Sequence, residues 1–186
     1  MLEQVVAWRR LDTPGHDSCG LLVDDDGWRL IGTAVFRSEE QPCHLRYEVA
    51  CDTAWRTRAA TVRGWIGRTV VQLAIDATPD ARWTFNGAAQ EDVAGLVDID
   101  LGFTPATNLI QVRRLALAVG QEADAPVAYL DFPALTLGRL EQRYKRVAHD
   151  TYAYHAPRFD YAGQLQVSNH GFVTQYPGLW AVEALQ

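Results

Sequence analysis

Cys43-His44-Leu45-Arg46-Tyr47-Glu48-Val49-Ala50-Cys51-Asp52 alternates without a break. Cys43, Leu45, Tyr47, Val49 and Cys51 take one side, and His44, Arg46, Glu48 and Asp52 take the other. A period of two residues belongs to a strand with one buried and one wet face. Upstream, Asp24-Asp25-Asp26-Gly27 separates Leu21-Leu22-Val23 from Trp28-Arg29-Leu30-Ile31 and reads as a hairpin turn, with Gly27 supplying a positive φ. The acidic run is then a solvated turn rather than a cation site.

The same alternation recurs at 4–10, 28–36, 55–65, 69–76, 82–86, 93–101, 111–119, 126–132, 136–146, 149–155, 158–167, 171–176 and 179–184, between short Gly, Pro, Asp or Asn turns. About fifteen strands follow, and so many must close, roll or stack to protect their edges. No repeat, low-complexity tract or linker interrupts the pattern, so residues 1–186 read as a single all-β domain, a barrel or roll. Thr104-Pro105-Ala106-Thr107-Asn108 carries the one helix signal, with Thr104 as cap and Pro105 in the first helical position. One or two short helices are expected.

The 186 residues include 48% hydrophobic and 22% charged residues, enough for a sizeable core. Seventeen basic residues against 23 acidic leave a net charge of −6, which argues against a surface built for nucleic-acid phosphates or anionic lipid. Neither a basic, apolar leader nor a run of about 18 apolar residues is present, so a soluble cytoplasmic protein without a transmembrane segment is expected. Cys19, Cys43 and Cys51 form no C-x-x-C pair. On one strand Cys43 and Cys51 would stand about 26 Å apart, beyond disulfide reach, so reduced, buried thiols fit best.

The densest polar group runs from Val97-Asp98-Ile99-Asp100-Leu101 through Thr107-Asn108 to Val112-Arg113-Arg114-Leu115. On a strand Asp98 and Asp100 share the face away from Val97, Ile99 and Leu101, and two carboxylates together need cations. Arg113 or Arg114 can return beside them, with Asp98 and Arg113 expected at the centre. The group is either a structural network around a capped turn or the polar end of a ligand cavity. His16, His44, His149, His155 and His170 lack ligand spacing, so no metal is expected. With no G-x-S-x-G, phosphate loop or dinucleotide fingerprint, neither a catalytic set nor a cofactor is assigned. Tyr144, Tyr152 and Tyr154 alternate inward among charged neighbours, as core or as cavity wall.

The string Asp98-Ile99-Asp100-Leu101-Gly102-Phe103-Thr104-Pro105-Ala106-Thr107-Asn108, continuing to Val112-Arg113-Arg114-Leu115, resembles the signature of the putative glycolipid-binding family of bacterial proteins. Leu45-Arg46-Tyr47-Glu48-Val49 with Asp52-Thr53-Ala54-Trp55-Arg56-Thr57-Arg58 is similar to its N-terminal half. Gln142-Arg143-Tyr144, Tyr152-Ala153-Tyr154 and 171–179 are similar to its C-terminal half. The resemblance implies a spiral β-roll with an internal cavity, like bacterial carriers of lipoproteins and lipids. Two departures stand out: Ile110-Gln111-Val112 replaces a proline-containing segment, and Asn169-His170-Gly171 lacks an acidic residue before its glycine.

Three functions compete on this reading. The first is non-catalytic binding of a lipid or glycolipid-like small molecule, its head group met by Asp98, Asp100, Thr107, Asn108, Arg113 and Arg114 with Tyr144, Tyr152 and Tyr154. The second is an enzyme on a small sugar or lipid, with Asp98 or Asp100 as acid or base and Arg113 or Arg114 stabilising an anion. The third is a filled structural module. Nothing in the residues names a protein partner.

Overall fold

A computed structural model describes residues 1–186. The first half is a meander of antiparallel strands: β1 (Leu2–Arg10), β2 (Gly15–Asp24), β3 (Gly27–Ser38), β4 (Gln41–Asp52), β5 (Thr57–Ile66), β6 (Thr69–Ala77), β7 (Trp83–Phe85) and β8 (Ala88–Ala89). After a 3₁₀ turn at Glu91–Val93 come β9 (Ile99–Leu101) and one α-helix, α1 (Asn108–Leu115). The rest comprises β10 (Glu122–Asp124), β11 (Val127–Leu130), β12 (Leu137–Leu140), β13 (Arg143–Ala148), β14 (Thr151–Ala156), β15 (Tyr161–Val167), β16 (Val173–Tyr176) and β17 (Trp180–Leu185).

Fourteen strands join one sheet in the order β10-β13-β14-β15-β16-β17-β1-β2-β3-β4-β5-β6-β7-β8. The terminal strands β1 and β17 pair antiparallel at its centre. A second sheet of three, β12-β11-β9, contains the parallel pair β11–β9. The large sheet rolls without closing, since β10 and β8 remain its two edges. The main core lies inside the roll, where Trp8, Leu21, Leu30, Leu45, Val62 and Ile75 from the meander meet Ile99, Leu101, Phe103 and Leu109. No helix is long and apolar enough to cross a membrane.

Strand β4 carries the alternation expected of it, with Cys43, Leu45, Tyr47, Val49 and Cys51 buried. All three cysteines are free and buried. The β2–β3 turn is Asp25-Asp26, and Gly27, at φ 156°, is the first residue of β3. A Cβ there would stand 2.0 Å from the Cys51 carbonyl oxygen, so close packing against β4 also demands glycine.

The structure corrects four expected strands. Residues 111–119 contain most of α1 rather than a strand, because Leu109, Ile110 and Val112 are buried around a helix enclosed by the roll. The helix starts at Asn108, later than the Thr104-Pro105 signal, because the Thr104 hydroxyl caps only its own turn, accepting the Ala106 N–H at 3.0 Å. Of 93–101 only Ile99–Leu101 is strand, and 136–146 breaks between β12 and β13 at Glu141-Gln142. Pro157–Phe159 is a 3₁₀ turn, which delays β15 to Tyr161.

Candidate functional site

Strand β9 is stitched on both sides. The Ile99 N–H donates to the Thr57 hydroxyl at 3.1 Å, and the Leu101 N–H donates to the Thr107 hydroxyl at 3.2 Å. The Gln111 side-chain amide of α1 donates to the Ile99 carbonyl at 3.1 Å. These bonds bring Asp98 and Asp100 under the helix, where both are buried.

Each carboxylate then meets different partners. Arg114 grips Asp98 with two prongs, Nε at 2.6 Å and Nη2 at 2.7 Å. Burial pushes the Asp98 carboxyl above its ordinary range, and the Arg114 fork works against that rise. The expected Asp98–Arg113 pair is therefore replaced by Asp98–Arg114. On a helix, adjacent residues point about 100° apart, so only one arginine reaches β9. Arg113 instead lies over Trp55, 5.3 Å from the ring centre, and 6.0 Å from Trp28. Trp28 and Trp55 stack at 4.6 Å.

Asp100 has no arginine. It accepts bonds from the Thr107 hydroxyl at 2.8 Å and the Gln142 amide at 2.6 Å. Burial again raises its carboxyl, opposed by these two bonds and assisted by the nearby Asp98 charge. Asn108, at the helix start, donates its side-chain N–H to the Tyr144 hydroxyl at 2.7 Å.

A cleft of about 330 Å³ opens at this end of α1. Asp100, Thr104 and Asn108 form its polar wall, while Tyr129, Leu140, Tyr154, Phe159, Tyr161, Tyr176 and Trp180 line the remainder. Gly102 also faces it, and a Cβ there would stand 2.3 Å from the Tyr129 hydroxyl, so glycine lets that ring close the wall. Tyr154 packs 4.9 Å from Tyr144, 6.0 Å from Tyr161 and 5.9 Å from Tyr176. Burial pushes the hydroxyls of Tyr144, Tyr154 and Tyr176 well up, so these rings stay neutral.

The nine residues expected to meet a ligand thus divide three ways. Asp100, Asn108 and Tyr154 line this cleft. Arg113 and Tyr152 line a different cleft of about 690 Å³ at the far end of α1, beside Arg146, His149 and Asn169. Asp98, Thr107, Arg114 and Tyr144 line neither, and hold β9, α1 and β13 in place. The three tyrosines do share one buried cluster, since Tyr144 pairs directly with Tyr154 across β13–β14 and Tyr152 lies two residues along β14.

Two features escape the reading of the residues alone. Tyr129, Tyr161 and Tyr176 come to the cleft from separate strands, and no local pattern joins them. Asp17 is a buried carboxyl accepting bonds from the Tyr47 hydroxyl at 3.0 Å and from the Thr104 hydroxyl. Its signal exists: Asp17-x-Cys19-x-Leu21 places an acid in phase with inward residues. Burial pushes its carboxyl up to about 6, against those hydrogen bonds. The buried thiols are likewise raised, Cys51 to about 12, which suppresses the reactive thiolate.

A family model described as "Putative glycolipid-binding" matches residues 5–181. The chain belongs to this family. It is also similar to the crystal structure of a DUF1089 family protein from Pseudomonas aeruginosa, with 29% identity over 89% of this chain and 91% of that one, at a TM-score of 0.79. No curated protein matches. The match to the glycolipid-binding family spans both sheets, so the roll and the Asp98–Arg114 segment belong to one architecture.

Proposed function

We propose that the chain binds a glycolipid-like amphiphile, without catalysis, in the cleft between Asp100, Asn108 and the tyrosine wall. The observation that carries this reading is the composition of that wall: aromatic and aliphatic surface over most of it, with polar groups gathered at one side. Ligand sites are built this way, apolar area giving affinity and a few polar groups giving orientation. A volume of about 330 Å³ is near the small end of such sites, suited to one sugar ring or a short length of chain, with the rest of the amphiphile leaving by the open side. Asp100, raised by burial, offers a head-group hydroxyl an acceptor or, when protonated, a donor.

The enzymatic reading rests on Asp100 as an acid. Asp100 is the only carboxylate lining this cleft, while Asp98 is engaged by Arg114, so the paired carboxylates of a glycosidase are not assembled here.

Native mass spectrometry of the purified protein, followed by lipid extraction, tests the proposal. Ala156→Leu fills the cleft wall and should abolish retention of the bound amphiphile, and Tyr154→Phe should weaken it roughly tenfold, the worth of one hydrogen bond. Unchanged retention in folded Ala156→Leu protein overturns the assignment. Turnover of a glycoside that disappears in Asp100→Asn would replace it with the enzymatic one.

A further inference from the structure

We propose that the outer face of β3–β6 docks the protein on an anionic lipid bilayer. The register of four neighbouring strands places Val35 opposite His44, His44 opposite Trp65, and Trp65 opposite Val70. These residues form one straight row across the sheet and point away from the roll, since Ala34, Phe36, Cys43, Leu45 and Val71 point into its core. Val35 is 52%, Trp65 45% and Val70 80% exposed. The His44 ring stacks on Trp65 at 4.3 Å, and its Nδ1 has no hydrogen-bond partner. A tryptophan with aliphatic neighbours at an exposed sheet face suits the boundary between head groups and acyl chains.

The charges beside the row select the sign of that boundary. One step along the same face, Arg46 and Arg63 stand directly opposite each other across β4–β5. Like charges in that position repel, and neutralisation normally comes from a carboxylate. Arg46, Arg63, Arg37 and Arg68 are all exposed, and none has a carboxylate within 4 Å, whereas twelve ion pairs occupy other cations of the chain. Arg46 and Arg63 line a groove of about 590 Å³ together with the hydroxyls of Ser18, Thr33 and Thr61. Guanidinium forks and hydroxyls are the donors that phosphate oxygens accept.

The acidic groups at this end are Glu39 and Glu40 in the β3–β4 turn and Glu48, which also lines the groove and shares the Arg29 guanidinium with Asp24, against the four unpaired arginines. The chain's net charge of −6 therefore hides a locally basic face. A membrane surface feels charge within about a Debye length, so the proposed contact depends on that face and departs from the expectation drawn from net charge alone. The apolar row enters the interface while the paired arginines meet lipid phosphates. The proposal is independent of the cleft, which lies on the inner side of the roll.

Flotation of the full chain with phosphatidylcholine vesicles, with and without phosphatidylglycerol, tests it at low and physiological salt. Binding is expected to the anionic vesicles, to weaken with salt, and to fall at least about tenfold in the double variant Arg46→Gln/Arg63→Gln. Trp65→Ser/Val70→Ser should lose binding even at low salt, while Ala156→Leu should keep it. All four outer-face positions are exposed, so far-ultraviolet circular dichroism and melts of these variants should match the parent. No binding to anionic vesicles, or binding indifferent to both double variants, overturns the proposal. So does a dimer in size exclusion that Trp65→Ser/Val70→Ser dissociates, because a second copy would then own the face. Millimolar inorganic phosphate should not displace the protein, and full displacement would reassign the arginine pair to a soluble anion.

Discussion

Asp98 is fully buried while its partner Arg114 keeps 23% of its side chain exposed, and this asymmetry decides what each substitution does. Removing Arg114 strands a carboxylate with no access to water; removing Asp98 leaves a guanidinium that can still reach it. Arg114→Ala should therefore cost about 3 kcal/mol or more, near the range for a broken buried pair, and Asp98→Ala less, a ranking read from urea midpoints. Asp17 gives the opposite pH behaviour to an ion-paired acid. Its ordinary value is 3.8 and its folded value about 6, so between these the folded chain holds a proton that the unfolded chain has released. Stability from this group is fully present below about pH 4 and is lost as pH rises through 6, a change of order 3 kcal/mol. Asp17→Asn should flatten that descent in melts from pH 4 to 7, and an unchanged slope would assign it to other groups. Asp17, missed among the candidate residues, still carries a signal as an acid in inward phase on β2. The choice of Arg114 over Arg113 carries none, because it turns on whether the segment is helix or strand.

Helix α1 shows why that choice is hard to read. Its apolar residues are enclosed by the roll, and Leu115-Ala116-Leu117-Ala118-Val119, starting at its last residue, alternates large and small apolar side chains like a strand. Eight residues are too few for helical periodicity to outweigh such a neighbour, and the environment makes the decision. The long strands β1–β6 are legible because each has one wet face, whereas β9 alternates in sequence at Ile99-Asp100-Leu101 but buries all three residues, so no wet face marks where the strand begins. The helix ends at Ala116 in the left-handed conformation, φ 44°, where its N–H donates to the Val112 carbonyl. A side chain in that conformation carries strain that glycine lacks. Ala116→Gly should accordingly raise stability by up to about 1 kcal/mol in denaturant titration. A loss would mean that packing by the Ala116 methyl outweighs the backbone strain.

At the scale of the molecule, everything depends on the seam between chain ends. Strands β1–β8 form a self-contained meander, and β13–β17 form a second one; β1–β17 pairing makes them a single sheet. Across the seam, the Trp8 indole N–H donates to the Val173 carbonyl at 2.6 Å. Arg10 lies between Phe36, 4.7 Å from its ring centre, and Trp180, 5.2 Å away. Pairing of the first strand with the last is a contact of the longest range, so its loop-closure cost is met only when both meanders have formed. Residues 1–186 should then unfold as one cooperative unit. Trp180 is buried at the seam and also lines the tyrosine cleft, so Trp180→Ala tests the idea with a cost of about 3–5 kcal/mol. If the chain is one unit, near-ultraviolet circular dichroism and far-ultraviolet ellipticity should fall together in the variant, at a lower midpoint. If the meanders are separate units that merely touch, weakening the seam should pull the two signals apart. In that case the first, dominated by the remaining tryptophans Trp8, Trp28, Trp55, Trp65 and Trp83, would follow the β1–β8 meander, and the second would sum the strands of both.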